Sequence, residues 1–417
     1  MKKVMMMAMM LVASAAAFAG DSPALKAIMK AKAYAEAEQL LKSTFDQLAN
    51  DEEKAKAYNK LVDLAMVKVN EEGTKITENQ ANAQLGIDKK KEVDNVGMCD
   101  ALINALNNAY ECNKYDQLPN AKGKVAPKFA EKNVQRLWAN HFQLVAVGDD
   151  FRQKNDYPNV IKYWIPYLDA YTNPFFASQN RDPEKETFEQ LAFLTSWIAN
   201  NQKEYDIAVK YSKMALQSEK FKDDAQRIML AAMGGGLKNR QDSLNYVKKV
   251  EALYKEDPSN ESYINALYNA YGDLQLKKEQ KDLLEGILAK DPKNFIALAN
   301  MGIMYIGEND YAQAVPFLRR AVEVRDTNPN VLFYLGTSLC MIAQDVNTDN
   351  GTAQQKKEAQ EKKDNIYREA IKYLDKCKEL DPEKQQINWG YNRQNAYYNL
   401  YGPESPEYKQ AEADYKN

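Results

Sequence analysis

The sequence predicts an all-α chain: an α-solenoid of helix–turn–helix units, with irregular helices before it and a capping helix pair after it. Three observations predict this. Helix breakers are scarce, with 17 Gly and 14 Pro in 417 residues, below the usual combined share of about 12%. Apolar residues recur at spacings of three and four, the period of one helix face, while the period-two alternation of a half-buried strand is missing. The same helix–turn–helix pattern then returns along the chain, which is the signature of a repeat architecture.

At the N-terminus, Lys2 and Lys3 precede an apolar run from Val4 to Ala16, and Ala17-Phe18-Ala19 sets small residues where a signal peptidase reads. This layout predicts a secretory leader over residues 1–19. The run is too short to cross a bilayer, which takes about 20 apolar residues. The first cysteine is Cys99, too far along to carry a lipid after cleavage. The chain is therefore expected to be exported, to the periplasm before the extracellular space, with no membrane span or lipid anchor.

Residues 20–128 read as an N-terminal helical region. Leu25, Ile28, Ala37, Leu40 and Leu41, then Tyr58, Leu61, Leu64 and Ala65, mark two amphipathic helices between 22 and 70. Residues 73–97 are polar and read as a long loop. Helix resumes over 96–113 and 126–150.

From residue 129 to 382 about six repeats follow. The clearest has Leu298, Met301, Gly302 and Tyr305 on its first helix, a polar turn at Glu308-Asn309-Asp310, and Tyr311, Ala314, Leu318 and Ala321 on its second. It is expected to end at Asn328-Pro329. The next unit shows Leu332, Leu335, Gly336 and Leu339, then Tyr367, Ala370, Leu374 and Cys377, closed by Asp381-Pro382. An insertion at 345–364 separates its helices and reads as a mobile loop or an extended helical hairpin. Second-helix markers fall at 160, 208, 246, 280, 314 and 370, and two of these intervals equal 34 residues. Asp257-Pro258 and Asp291-Pro292 end second helices, because proline disfavours helix in the residue before it. Residues 383–417 read as the capping pair.

This pattern resembles the tetratricopeptide repeat, a 34-residue helix–turn–helix unit. The likeness is carried by the small residue of the first helix (Gly148, Gly234, Gly302, Gly336), the alanine of the second (Ala208, Ala314, Ala370), and the Asp-Pro or Asn-Pro endings. Close packing of the two helices is expected at Gly302 against Ala314 and at Gly336 against Ala370, since backbones approach only where facing side chains are small. The resemblance implies a concave face lined by the first helices. The residues that would flank the packing face there are Phe142, Arg152, Phe193, Trp197, Asn200, Lys238, Asn265, Asn269, Ile303 and Phe333. Phe193 and Trp197, four apart, suit an aromatic anchor. Asn265 and Asn269, also four apart, suit a peptide backbone, because each amide both donates and accepts.

Chemistry is hard to find. One histidine, His141, has no Cys, His or carboxylate at ligand spacing beside it. Gly234-Gly235-Gly236 lacks the Lys-Ser or Lys-Thr and the preceding strand of a phosphate loop, and is expected inside a first helix. Cys99 and Cys112 lie 13 residues apart in one helical stretch, about 20 Å of helix and too far to bridge. All four cysteines read as small buried hydrophobes, with a Cys340–Cys377 pair left open. A net charge of −3 without a basic cluster argues against nucleic acid. The expectation is a non-enzymatic scaffold or adaptor, without cofactor or metal, that binds a protein or peptide. The alternative is a carbohydrate-binding repeat protein, suggested by 26 Tyr and 4 Trp.

Overall fold

The computed structural model describes residues 20–120 and 123–416; the expected leader lies outside them. The described residues are helical with short connections, and no strand occurs among them. They form two compact units that divide between Gly235 and Gly236.

The first unit holds α1 (Pro23–Lys30), α2 (Tyr34–Thr44), α3 (Asp51–Gln84), α4 (Asn95–Asp116), α5 (Ala130–His141), α6 (Gln143–Gln153), α7 (Tyr157–Thr172), α8 (Lys185–Asn201), α9 (Tyr205–Ala215) and α10 (Lys222–Gly235). Its core gathers Leu102, Leu137, Leu144, Trp164 and Tyr167. The second unit holds α11 (Arg240–Glu256), α12 (Glu261–Asp273), α13 (Lys277–Lys290), α14 (Phe295–Gly307), α15 (Tyr311–Val324), α16 (Pro329–Gln344), α17 (Ala353–Leu380), α18 (Gly390–Tyr401) and α19 (Pro406–Lys416). Leu298, Met301, Leu318, Leu335 and Leu374 are central to its core. Each fully buried leucine of this kind contributes about 1.5–3 kcal/mol. Both units are all-α and of solenoid type, each helix packing on its successor.

The local rules behind the pairs are visible. Asn239, Asn260, Asn294 and Asn328 cap α11, α12, α14 and α16, each side chain accepting backbone N–H groups of the first turn. Asp257, Asp291 and Asp381 leave the helical region at φ −135°, −131° and −137°, as a following proline requires. Between first and second helices one residue takes a left-handed conformation, at Asn155, Lys203, Gln275 and Asn309, with φ of 56° to 63°. Asn328-Pro329 differs from the expected ending. It opens α16, with Asn328 as N-cap and Pro329 at the first helical position, where the missing N–H costs nothing.

Several boundaries also differ from the sequence reading. The region 22–70 carries three helices rather than two. The polar stretch expected as a loop over 73–97 is largely helix, since α3 continues to Gln84 and the connection spans only 85–94. Thr74 and Thr77 there bond back to the carbonyls of Asn70 and Gly73. Within 126–150 helix starts only at Ala130 and breaks at Phe142, between α5 and α6. The insertion at 345–364 divides into a loop up to Thr352 and an N-terminal extension of α17, started by a capping box of Thr352 and Gln355. Gly234 and Gly235 are the last two residues of α10, and Gly236 lies beyond its end rather than inside it. At Gly235 a Cβ would stand 2.5 Å from the Tyr205 ring, so packing requires glycine there.

The four cysteines are free and buried. Burial pushes each thiol up to about 12, far from the thiolate that reacts. Native protein at pH 8 is expected to resist Ellman's reagent over minutes, and to release four equivalents once unfolded in guanidinium. A rapid native thiol would show that one of these sites opens.

Candidate functional site

The expected concave-face residues sit on first helices in each unit, except Phe142, which lies in the break between α5 and α6, and Lys238. In the first unit, Phe142 is 45% exposed and meets the Tyr167 ring edge-on, centroids 5.9 Å apart. Arg152 is exposed, but its Nε donates to Asp149 Oδ1 at 2.7 Å, so its charge is matched within its own helix. Phe193 and Trp197 share one face of α8 and behave differently. Phe193 stacks on Phe221, the residue before α10, at 4.9 Å and 8°. Trp197, one turn on, is 46% exposed. Asn200 is half-buried near the end of α8.

In the second unit the exception is Lys238. It lies in the turn before α11, not on a first helix, and its backbone N–H donates to Asp242 at 3.0 Å. The expectation assumed that α10 ran past the glycines. On α12, Asn265 and Asn269 also part company. Asn265 Oδ1 accepts from Asn300 Nδ2 of α14 at 3.0 Å, and Asn300 is only 8% exposed. That amide pair ties neighbouring first helices together. Asn269 is exposed. Ile303 is half-buried, and Phe333 packs edge-on against Tyr334 at 5.7 Å. Tyr268, half-buried on α12, lies on the same first helix as Asn265 and Asn269. Tyr268 and Tyr334 of α16 both pack against the core of the second unit, and burial, with the Tyr334 phenol as the lesser cause, pushes the Tyr268 phenol up.

The helix-pair contacts are tight at the glycines. A Cβ on Gly302 would come 2.5 Å from Leu318 Cγ, and one on Gly336 would come 2.6 Å from Leu374 Cγ. Gly148 meets Trp164 in the same way. Ala314 and Ala370 are fully buried. At Gly302 the nearest neighbour is therefore one turn beyond the expected Ala314; at Gly336 the Ala370 carbonyl is also near, at 3.2 Å.

His141 does have a carboxylate beside it, brought from a distance by the fold. Its Nδ1 lies 2.6 Å from the Trp138 carbonyl, which can only accept, so Nδ1 donates there. Nε2 stands 3.0 Å from Glu184 Oε2, out of line for a straight hydrogen bond. The ring is stacked on Trp138 at 4.0 Å and Tyr167 at 5.2 Å and has no exposed surface. Tyr167 donates to the same Glu184 oxygen at 3.1 Å. The imidazole is sealed from solvent, and the group joins α5, α7 and the segment before α8. Among the described residues no group of three or more His, Cys, Asp or Glu is placed to hold a metal ion. Nor is any helix among them long and apolar enough to cross a membrane.

No protein-family model matches the chain, and no curated protein matches it. Among solved structures the chain is similar to the MamA protein at 13% identity and a TM-score of 0.28, over 47% of this chain and 93% of that one. It is also similar to a TPR repeats protein from Bacteroides fragilis at 15% identity and a TM-score of 0.27, over 61% and 97%. Likeness at this level carries no functional argument, and the fold rests on the helices themselves.

Proposed function

We propose that this chain is an exported, non-enzymatic scaffold that binds protein or peptide segments on surfaces formed by the first helices within each unit. The observation that carries the reading is Trp197. It is a large aromatic left 46% exposed on a first helix, while the neighbouring Phe193 is stacked in place beside it. Rigid aromatics of this kind concentrate binding energy at interfaces. Phe142, just before α6, supplies exposed apolar surface in the same unit, and Asn269 supplies exposed amide surface on α12 of the second. Export rests on the leader pattern of residues 1–19, and the periplasm is the expected compartment.

The test is affinity capture from envelope extract with mass spectrometry, using the chain from residue 20 and its Trp197→Ala and Asn269→Ala variants. A protein captured by the parent should be lost, or weakened more than tenfold, with Trp197→Ala, since hot-spot truncations cost about 2 kcal/mol or more. Circular dichroism should not change. Undiminished capture moves the site off the first helices.

A second reading is favoured by a separate observation. Tyr391, Tyr398, Tyr401 and Tyr415 on the final helix pair are 59%, 48%, 48% and 41% exposed, and flat aromatic faces stack on sugars. Saturable binding on a glycan array that Tyr391→Ala and Tyr398→Ala abolish would support a carbohydrate ligand. An array without signal removes that reading.

A further inference from the structure

The long α3 outruns its partner, with 34 residues against 22 in α4. Past Val69 it is polar, and the chain returns beside it as the segment 85–94, without regular structure over 87–94. Side chains hold this return in place. Asn79 makes both amide hydrogen bonds to Lys91, donating to its carbonyl at 2.8 Å and accepting from its N–H at 2.7 Å. Asn82 donates to the Lys89 carbonyl at 2.8 Å. At the base, buried Glu72 receives the ammonium groups of Lys68 and Lys75, each at 2.9 Å, and the Asp94 N–H at 3.0 Å.

Between this fixed wall and α6 lies an open cleft of about 810 Å³, continuing into an adjoining hollow of about 580 Å³. Ile76, Ala146 and Val147 give it an apolar floor, with Gln80 and Gln143 at its sides. No aromatic side chain lines it, which disfavours sugars and nucleobases, since both are held by stacking. Its charges are unevenly matched. Lys91 pairs with Glu78, and Lys68 with Glu72 and Asp94. Glu92 on the returning segment and Asp150 on α6 line both hollows from opposite walls. Neither has an ion-pair partner among the described residues, and against these two carboxylates stands one unpaired cation, Lys90. The backbone N–H groups of Lys90 and Glu92, two residues apart and flanking the Lys91 that faces Asn79, also make no hydrogen bond within the described residues, so an extended peptide can pair with them.

We propose that this cleft takes an extended peptide segment bearing a lysine or arginine. Its backbone lies along 90–92, its cation sits between Glu92 and Asp150, and apolar neighbours rest on Ile76 and Val147. This surface is separate from the first-helix face that carries Trp197, and the two readings fail independently.

The experiment is fluorescence anisotropy of the full chain with two labelled nonapeptide libraries, identical except for a fixed central Arg or a fixed central Glu. Saturable binding is expected with the Arg library only. Glu92→Gln and Asp150→Asn should each weaken it about tenfold, the worth of one charge-assisted hydrogen bond, and Trp197→Ala should leave it unchanged. Glu92 and Asp150 are exposed, so circular dichroism should match the parent. Equal binding of both libraries overturns the proposal. So does no saturable binding of the Arg library, or binding that neither carboxylate variant changes.

Discussion

Replacing Gly302 with leucine should destabilise the second unit by about 1–3 kcal/mol, the usual penalty for forcing extra atoms into a packed core. For a unit of this length that is a fall in melting temperature of roughly 3–10 °C. The site has no room to yield. A Cβ alone at residue 302 would approach Leu318 Cγ to 2.5 Å and Cδ2 to 2.6 Å, and Leu318 has no exposed surface. Helix α14 cannot retreat, because it is also packed on α13 and near α16. A second variant makes the prediction specific to this contact. Leu318→Ala alone leaves a cavity, costing about 2–5 kcal/mol. Combined with Gly302→Leu, the new side chain enters the vacated space, so the double variant should be more stable than the sum of the singles by about 1 kcal/mol or more. Strict additivity, or an unchanged melt for Gly302→Leu, would mean that α14 and α15 do not meet in this register. Gly336 with Leu374 should behave alike.

The same contact shows what could be read from the sequence and what could not. Periodic apolar residues and Asp-Pro endings were sufficient for the helix pairs, because both signals are local. The partner of Gly302 was placed one turn early, at Ala314. Helical side chains lean toward the N-terminus, so a residue covers the turn before its own Cα; Leu318 therefore lies over the level of Ala314. Polarity misled the reading of residues 73–84. A helix that buries little apolar surface leaves no stripe to detect, and Glu72, 2% exposed at the side chain, is satisfied by Lys68, Lys75 and the Asp94 backbone instead. Long-range pairs left no trace at all. Asn265 finds Asn300, and His141 finds Glu184, through tertiary packing that no spacing rule contains. The cleft beside α6 was missed for the same reason: its walls come from residues about 60 apart in sequence, and the misread loop is one of them.

Replacing Arg393 with alanine should release α19 without melting the rest of the second unit. Arg393 is 7% exposed. It donates from Nε to Asp375 at 2.6 Å and from Nη1 to Asp414 at 2.7 Å, joining α17, α18 and α19 through one guanidinium. Its plane also stands 4.9 Å from the Tyr397 ring. Removing it leaves two carboxylates short of a donor. Lys378 still reaches Asp414, and Tyr397 still reaches Asp375, so the cost should be about 2–3 kcal/mol, that of lost charged hydrogen bonds, below the full penalty of an isolated buried charge. Lysine in its place keeps the charge but not the two-pronged geometry and should recover only part of the loss. Hydrogen exchange locates the effect. Amides of 406–416 should lose protection by the corresponding factor, while those of α14 and α15 keep theirs. Acid should act on the same joint. Burial alone would raise the Asp414 carboxyl, but Lys378, Gln410 and Arg393 hold it below its ordinary 3.8. A depressed carboxyl contributes stability that is complete above its unfolded value and is lost as pH falls through the folded one. Protection of α19 in the parent should therefore decline as pH falls below about 4, and that decline should be shallower in Arg393→Ala, where part of the pairing is already gone. Equal loss of protection across the second unit would show that the guanidinium supports the whole fold rather than its last helix.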